Sequence, residues 1–367
     1  MNIKSAGFIG LGLIGGSIAK AIKKYHPDVK IYAHARSEAT LISAHKAGIT
    51  ENDSFIPLEK FAEMDVLFLC SPVLVNIEYL EMLSDKLKAG HTLITDVGSV
   101  KGGIEAKAKE LGLLDKFIGG HPMTGSEKDG FVASDPLLLE NAYYILTKND
   151  AIDPDIFLAF EDFIKSLGAS VLVCDSASHD FATAAISHLP HIISASLVNL
   201  VSENDTEDEL LKTIAAGGFK DITRISSSSP VMWQNICVEN KDEILKLIGL
   251  YDDILLDIKR RIESSDEEML LSFFSNAKNY RDNLPVRGNG ALPGTFDLYT
   301  ELSDEAGQIA NIASILAIED ISIKNIGIVH NREFEQGVLN IETYDLDSKN
   351  SAIKVLKDHG YNVYSKG

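Results

Sequence analysis

The chain has 367 residues, 45% of them hydrophobic and 24% charged, which is long enough for two or three domains with a sizeable core. Its formal net charge of −20, without a clustered stripe of Lys and Arg, excludes a nucleic-acid surface but not an anionic ligand held by a few buried arginines. Three widely separated cysteines (Cys70, Cys174, Cys237) exclude a disulfide framework or zinc ribbon, no signal peptide is evident, and no apolar run approaches the ~18 residues that span a bilayer, so a cytoplasmic protein is expected.

In residues 1–175, β-rich runs at 6–9, 29–33, 66–70, 92–95, 117–119, 142–147 and 170–174 alternate with amphipathic stretches such as 14–24, 75–87 and 101–111. This rhythm predicts βαβ units and a parallel sheet covered on both faces. From 176 to 284 the strand signals give way to apolar-periodic segments at 182–201, 209–216, 231–240, 243–261 and 267–284, so an all-α domain is expected. The stretch 186–201 is apolar nearly all round, which implies burial in a larger core or a subunit interface. Residues 285–296 are dense in Gly and Pro without any period and read as a linker. The remainder, 297–367, spells β-α-β-β-α-β, with strands at 296–302, 323–329, 337–343 and 361–364 and helices at 308–319 and 348–359. That order is the ferredoxin-like α+β arrangement.

The first strand runs into Gly10-Leu11-Gly12-Leu13-Ile14-Gly15, a G-x-G-x-x-G turn that opens a helix. In that setting the glycines permit a tight turn, close approach to a pyrophosphate and close helix–strand packing, while the helix N-terminus offers N–H donors. A Rossmann-type dinucleotide-binding domain is therefore expected. At the end of the second strand an Asp or Glu would bond the ribose 2′-hydroxyl of NAD, but the sequence there is Ala33-His34-Ala35-Arg36-Ser37. Without that carboxylate, Arg36 and Ser37 offer a cation and a hydroxyl to a 2′-phosphate, so NADP is expected to serve at least as well as NAD. The plainer reading has Arg36 solvated or stacked on adenine.

Several segments could carry chemistry. Gly119-Gly120-His121-Pro122-Met123-Thr124-Gly125-Ser126-Glu127 presents one titratable imidazole on a glycine-rich loop stiffened by Pro122. Ser99, in Thr95-Asp96-Val97-Gly98-Ser99-Val100-Lys101, follows a strand at the sheet edge where open α/β folds bind ligands. It is a ligand contact, the N-cap of the next helix, or both. His188 and His191 flank Pro190 in an apolar helical stretch without a completing Cys or carboxylate, so a buried substrate contact or core histidine is expected rather than a metal site. Arg224 needs an anion, either Asp221 or a substrate carboxylate. Trp233 lines a pocket or fills the core.

Taken together, Gly10 to Gly15, Asp96 to Lys101, Gly119 to Glu127, Ser187 to His191, Asp221 to Arg224 and the following Ser226 to Pro230 run resemble prephenate dehydrogenases in order and spacing. The last segment, with Asp304-Glu305-Ala306-Gly307 at its first strand-to-helix turn, resembles an ACT domain, a module that commonly binds amino acids.

The resemblance implies oxidative decarboxylation of prephenate to 4-hydroxyphenylpyruvate in tyrosine biosynthesis, with NAD or NADP as hydride acceptor. His121 then matches the catalytic base, Ser99 the serine that orients both that histidine and the substrate hydroxyl, and Arg224 the arginine that binds a substrate carboxylate with Asp221 behind it. His191 matches a substrate-pocket histidine, and Gly125, Ser126, Glu127 and Trp233 match pocket positions. Gly10, Gly12, Leu13, Ile14, Gly15, Arg36, Ser37, Ser71, Pro72 and Asp96 fall on the dinucleotide side. A homodimer and tyrosine feedback near Gly307 are further implications. Arogenate dehydrogenase is the nearest alternative, and a non-catalytic dinucleotide and amino-acid sensor is a more distant one.

Overall fold

A computed structural model describes residues 3–125, 128–284, 296–302, 305, 307–329 and 337–364. The chain separates into two compact units, Met1–Gly290 and Ala291–Gly367. The first begins as an α/β layer: β1 (Ser5–Ile9), α1 (Leu13–Tyr25), β2 (Lys30–His34), α2 (Glu38–Lys46), β3 (Val66–Leu69), α3 (Val73–Ala89), β4 (Leu93–Asp96), α4 (Gly102–Glu110), β5 (Phe117–Pro122), β6 (Tyr143–Thr147), α5 (Pro154–Ser166) and β7 (Ser170–Cys174). Its seven strands are ordered β2-β1-β3-β4-β5-β6-β7.

Period-2 alternation sends successive side chains of each strand to opposite faces. Phe8 and Phe68 stack with ring centroids 4.8 Å apart on one face, packed with Ile18 and Ile22 of α1 and Phe160 of α5. Ile9, Leu67 and Leu69 turn to the other face, against Leu80 and Leu83 of α3 and Ile104 of α4. Each of these fully buried side chains contributes about 1.5–3 kcal/mol of transfer free energy.

The sheet is mixed rather than wholly parallel, because β5 and β6 pair antiparallel, Gly119 opposite Thr147 and His121 opposite Ile145. Among its described residues the β5–β6 connection carries only a 3₁₀ turn, Phe131–Ala133, and without a crossover helix it returns as a neighbour of opposite direction.

The helical part comprises α6 (Ser176–Thr183), a π turn (Ala184–His188), α7 (Leu189–Glu203), α8 (Leu210–Ile214), α9 (Gly217–Thr223), α10 (Pro230–Glu239), α11 (Lys241–Glu263) and α12 (Glu267–Asp282). The π turn has a local cause. Pro190 has no N–H to donate one turn back, and the N–H of Leu189 reaches instead to the carbonyl of Ala184, five residues earlier.

The sequence reading counted no apolar run long enough to span a bilayer, yet α6, the π turn and α7 form one continuous helix, Ser176–Glu203, that meets that requirement by length and composition. Proline and histidines had split it into shorter runs. Its His179, Asp180, His188, His191 and Ser194 are buried within the protein, whereas Ile186 and Leu200 are 68% and 58% exposed. Within this chain the segment thus buries its polar face and exposes its apolar one, so of the two expected settings the core accounts for the polar face alone.

The second unit has β8 (Phe296–Leu302), α13 (Gln308–Ile318), β9 (Ile323–Val329), β10 (Gly337–Thr343), α14 (Leu346–Asp358) and β11 (Val363–Tyr364). Its strands pair antiparallel in the order β11-β8-β10-β9, a ferredoxin-like sheet. Leu298, Leu339 and Ile341 pack against Ile312 and Leu316 of α13 and Leu356 of α14.

Candidate active site

The glycine turn sits where β1 feeds α1. Gly10 has φ +95°, and a Cβ there would lie 2.7 Å from the backbone of Cys70 and Ser71, so neither the conformation nor the space admits a side chain. At Gly15 a Cβ would meet the Gly10 carbonyl at 2.4 Å, whereas at Gly12 it would meet nothing within 4 Å. Gly12 is thus the open member of the turn, at the N-cap of α1, beside half-buried Leu13 and Ile14.

Beside it, Asn76 holds the β3–α3 connection. Its side chain accepts from the Ser71 N–H at 3.0 Å and donates to the carbonyls of Ser71 and Leu69 at 2.8 and 3.1 Å, which fixes Ser71-Pro72 at the rim. The sequence reading missed Asn76, one turn into a helix whose other buried residues are apolar. At the end of β2, Ala35 is buried while Arg36 and Ser37 are exposed, and Ser37 precedes α2 as its N-cap residue.

Asp96, assigned from sequence to the dinucleotide side, is fully buried and occupied by the protein itself. Its carboxylate pairs with the equally buried Lys101 ammonium and accepts the N–H groups of Gly98 at 2.8 Å and Gly120 at 3.2 Å. Lys101 Nζ also donates to the Gly120 carbonyl at 2.7 Å. The Asp96 carboxylate therefore braces β5 against the β4–α4 loop.

The two glycines before His121 make this possible. A Cβ at Gly119 would come within 2.2 Å of Thr147 Oγ1, and one at Gly120 within 2.6 Å of the Asp96 carbonyl. A side-chain-free segment lets β5 approach β4, β6 and Lys101 closely enough to aim the next residue.

That residue, His121, is half-buried at the C-terminal end of β5. Its Nδ1 lies 2.8 Å from His179 Nε2, and His179 Nδ1 lies 2.7 Å from Asp180 Oδ1. The Asp180 carboxylate also accepts the N–H groups of Lys101 at 2.8 Å and Gly102 at 2.7 Å, capping α4 from α6. Ser99, one candidate for that cap, does not serve it, because the carboxylate from α6 already satisfies those donors. Nor is Ser99 the partner of His121: among the described residues it is half-buried without a hydrogen bond, and the histidine pairs with His179 instead. The His179-Asp180 pair escaped the sequence reading because its target lies 58 residues away; two adjacent polar residues at the front of a helix were the available signal.

From Asp180 the contacts continue toward α7 and α10. Asn240 Nδ2 donates to the Asp180 carbonyl at 2.8 Å and lies 3.1 Å from His188 Nδ1. The His188 ring meets Trp233 edge-on, and the His191 ring stacks on Trp233, centroid to centroid at 3.5 Å with planes 12° apart. Trp233 Nε1 is buried and has no hydrogen-bond partner among the described residues. His121, His188, His191 and Trp233 thus belong to one contiguous cluster.

Arg224 opens the 3₁₀ turn after α9, and Ser194 of α7 anchors that turn through the Ile222 carbonyl at 3.0 Å and Ser226 Oγ at 2.6 Å. Asp221 is exposed on α9, three residues before Arg224. Gly125 is exposed; Ser126 and Glu127 lie outside the described residues.

Electrostatics favour an uncharged imidazole. Burial, then the neighbouring Lys101 cation and His179 and His188, hold His121 well below the ordinary histidine range. Burial brings His188 down to about 4 and lowers His191 as well.

A glycine turn on one edge of an α/β sheet, a histidine held below its ordinary pKa on the same edge and a helical layer packed against that histidine fit one class: an NAD(P)-dependent dehydrogenase. A family model described as "Prephenate dehydrogenase, nucleotide-binding domain" matches residues 18–173, and one described as "Prephenate dehydrogenase, dimerization domain" matches 175–276. The chain is 41% identical over 346 residues to the prephenate dehydrogenase of Bacillus subtilis (strain 168), covering 94% of this chain and 93% of that relative.

Among solved structures it is similar to prephenate dehydrogenase from A. aeolicus in complex with hydroxyphenyl propionate and NAD+, with a TM-score of 0.71, 29% identity and coverage of 78% of this chain and 99% of that one. A Synechocystis arogenate dehydrogenase follows at TM-score 0.67 and 28% identity, covering 76% and 99%. The chain belongs to the prephenate dehydrogenase family.

Proposed function

We propose that this chain converts prephenate and NAD(P)+ to 4-hydroxyphenylpyruvate, CO2 and NAD(P)H. The observation that carries the reading is the neutral His121, held through Nδ1 by His179, with no protein partner on Nε2 among the described residues. Gly10, Gly12, Leu13, Ile14 and Gly15 would hold the dinucleotide, and the open space over Gly12 fits a pyrophosphate. Ser71 and Pro72 form the nicotinamide-side wall. When bound, the dinucleotide supplies the acceptor for the hydrogen on substrate C4 together with its electron pair.

His121 Nε2 takes the proton of the 4-hydroxyl as that hydrogen departs, work typically contributing ~10²–10⁴-fold. The bond from the ring to its carboxylate then breaks, its electron pair aromatises the ring, and CO2 leaves. The phenolate oxygen recovers the proton from His121, so the base ends as it began. Ser99 orients the substrate hydroxyl. Arg224 binds a substrate carboxylate, and His191, Trp233, Gly125, Ser126, Glu127 and Asp221 belong to the substrate side.

Arg36 and Ser37, with Ala35 in place of an acid, support use of NADP at least as well as NAD. The exposed apolar face of α7 and the matched dimerization-domain model support a homodimer. For the second unit we propose an ACT-type module binding tyrosine near Gly307, which has φ +92° at the start of α13; Asp304 and Ala306 of that motif lie outside the described residues.

Steady-state turnover of prephenate and of arogenate with NAD and NADP, with and without tyrosine, tests the whole reading. Turnover of prephenate with kcat/KM for NADP at least equal to that for NAD, and inhibition by tyrosine, is expected. Preference for arogenate overturns the substrate, and a clear preference for NAD overturns the cofactor assignment.

A further inference from the structure

We infer that His179 and Asp180 are positioning residues that fix the tautomer of His121, so that its Nε2 faces the substrate as a lone pair. The inference rests on the proposed role of His121 as base, and its geometry lies outside that role. The Asp180 carboxylate has no proton to give. Its Oδ1 accepts the backbone N–H of Lys101 and its Oδ2 that of Gly102, at the N-terminus of the nine-residue helix α4. The hydrogen shared with His179 Nδ1 therefore belongs to the imidazole.

A neutral ring protonated on Nδ1 carries a lone pair on Nε2, and this atom lies 2.8 Å from His121 Nδ1. The hydrogen between the rings then comes from His121 Nδ1, leaving Nε2 of His121 bare. Reversing either ring sets N–H against N–H or lone pair against lone pair. The positioning extends beyond the resting state. When His121 Nε2 takes a proton, the hydrogen bond from Nδ1 becomes charge-assisted, with the Asp180 anion behind its acceptor.

The surroundings suit this arrangement. Lys101 stands on the Asp96 side, His188 and Asn240 on the α7 and α10 side, and Glu105 and Glu239 beyond Asp180. His179 itself is buried, so water does not compete for its ring nitrogens. The same logic operates in a serine-protease triad, where the wrong histidine tautomer lowers kcat by ~10⁴.

The test reads the tautomers directly, by nitrogen-15 NMR of histidine-labelled full-length protein without substrate, together with kinetics of two variants. Wild-type His121 and His179 are both expected to carry their proton on Nδ1. His179→Phe fills the space without an acceptor and is expected to lower kcat ~10²–10³-fold with KM nearly unchanged, the proton of His121 moving to Nε2. His179→Gln returns an amide oxygen toward His121 and is expected to recover most of that loss.

A wild-type His121 protonated on Nε2, a doubly protonated His179, a His179→Phe enzyme within about twofold of wild-type kcat, or a Gln variant no better than the Phe variant would each overturn the inference. Should the Phe variant not fold, the wild-type spectrum decides. Because that spectrum needs no substrate, failure of the prephenate assignment would show separately, in the turnover assay.

Discussion

Replacing Lys101 by methionine probes the brace that aims His121. Lys101 and Asp96 are both fully buried, and removing one partner of a buried pair leaves an uncompensated charge, at a cost of about 3–5 kcal/mol. Asp96 would keep the N–H groups of Gly98 and Gly120, at 2.8 and 3.2 Å, which places the loss near the lower end, about 3 kcal/mol. For a unit spanning Met1–Gly290, with an unfolding entropy of about 2.1 cal/mol/K per residue, that corresponds to a fall in Tm of roughly 5 °C, measurable by calorimetry.

The same change has a kinetic signature of fixed sign. The base role proposed for His121 requires a neutral ring, and Lys101 is second only to burial in holding its pKa down. Without that cation the pKa rises, so the acid limb of kcat/KM against pH moves toward neutrality. Adding Asp96→Asn removes the stranded carboxylate and is expected to restore part of the stability, with a coupling of about 1–3 kcal/mol between the two positions. A Tm drop of less than about 2 °C together with an unmoved acid limb would refute the reasoning.

His121→Asn is expected to lower kcat ~10²–10⁴-fold while substrate KM stays nearly constant, and near-wild-type turnover would sink the base assignment. Gly12→Ala and Gly15→Ala separate binding from folding. The first has open space and should raise the KM for the dinucleotide with Tm unchanged, whereas the second drives a Cβ to 2.4 Å from the Gly10 carbonyl and should cost about 1–3 kcal/mol in chemical denaturation. Trp233→Ala removes the ring stacked on His191 and is expected to raise prephenate KM more than it lowers kcat; Trp233→Phe, which keeps an aromatic face, should lie between.

The strands of the α/β layer were legible because a buried strand is a short apolar run bounded by turn residues, and the runs at 66–70 and 170–174 differ from β3 and β7 by at most one residue. The direction of β6 was not legible, since pairing sense depends on whether a crossover helix precedes the strand, and the loop after His121 carries no strong signal either way. His121 itself was visible from its glycines. Its partner was not: Asp180 and His179 act through space on a loop and a helix of the other layer, and adjacent residues carry no mark of the donor they will meet. The ion pair of Asp96 with Lys101 was not legible for a related reason, because neither residue's burial shows in its local sequence.

The cap that Asp180 places on α4 has a consequence for how this protein can be dissected. The nucleotide-binding layer ends before Ser176, so a fragment that stops there keeps the glycine turn and His121 but loses the carboxylate over α4 and the acceptor beside the imidazole. Such a fragment could still capture a dinucleotide, yet its histidine would be a free ring with no preferred proton position. Alignment of the proposed base is therefore a property of the assembled layers, and a nucleotide-binding assay alone would report a part of the protein whose histidine lacks its acceptor.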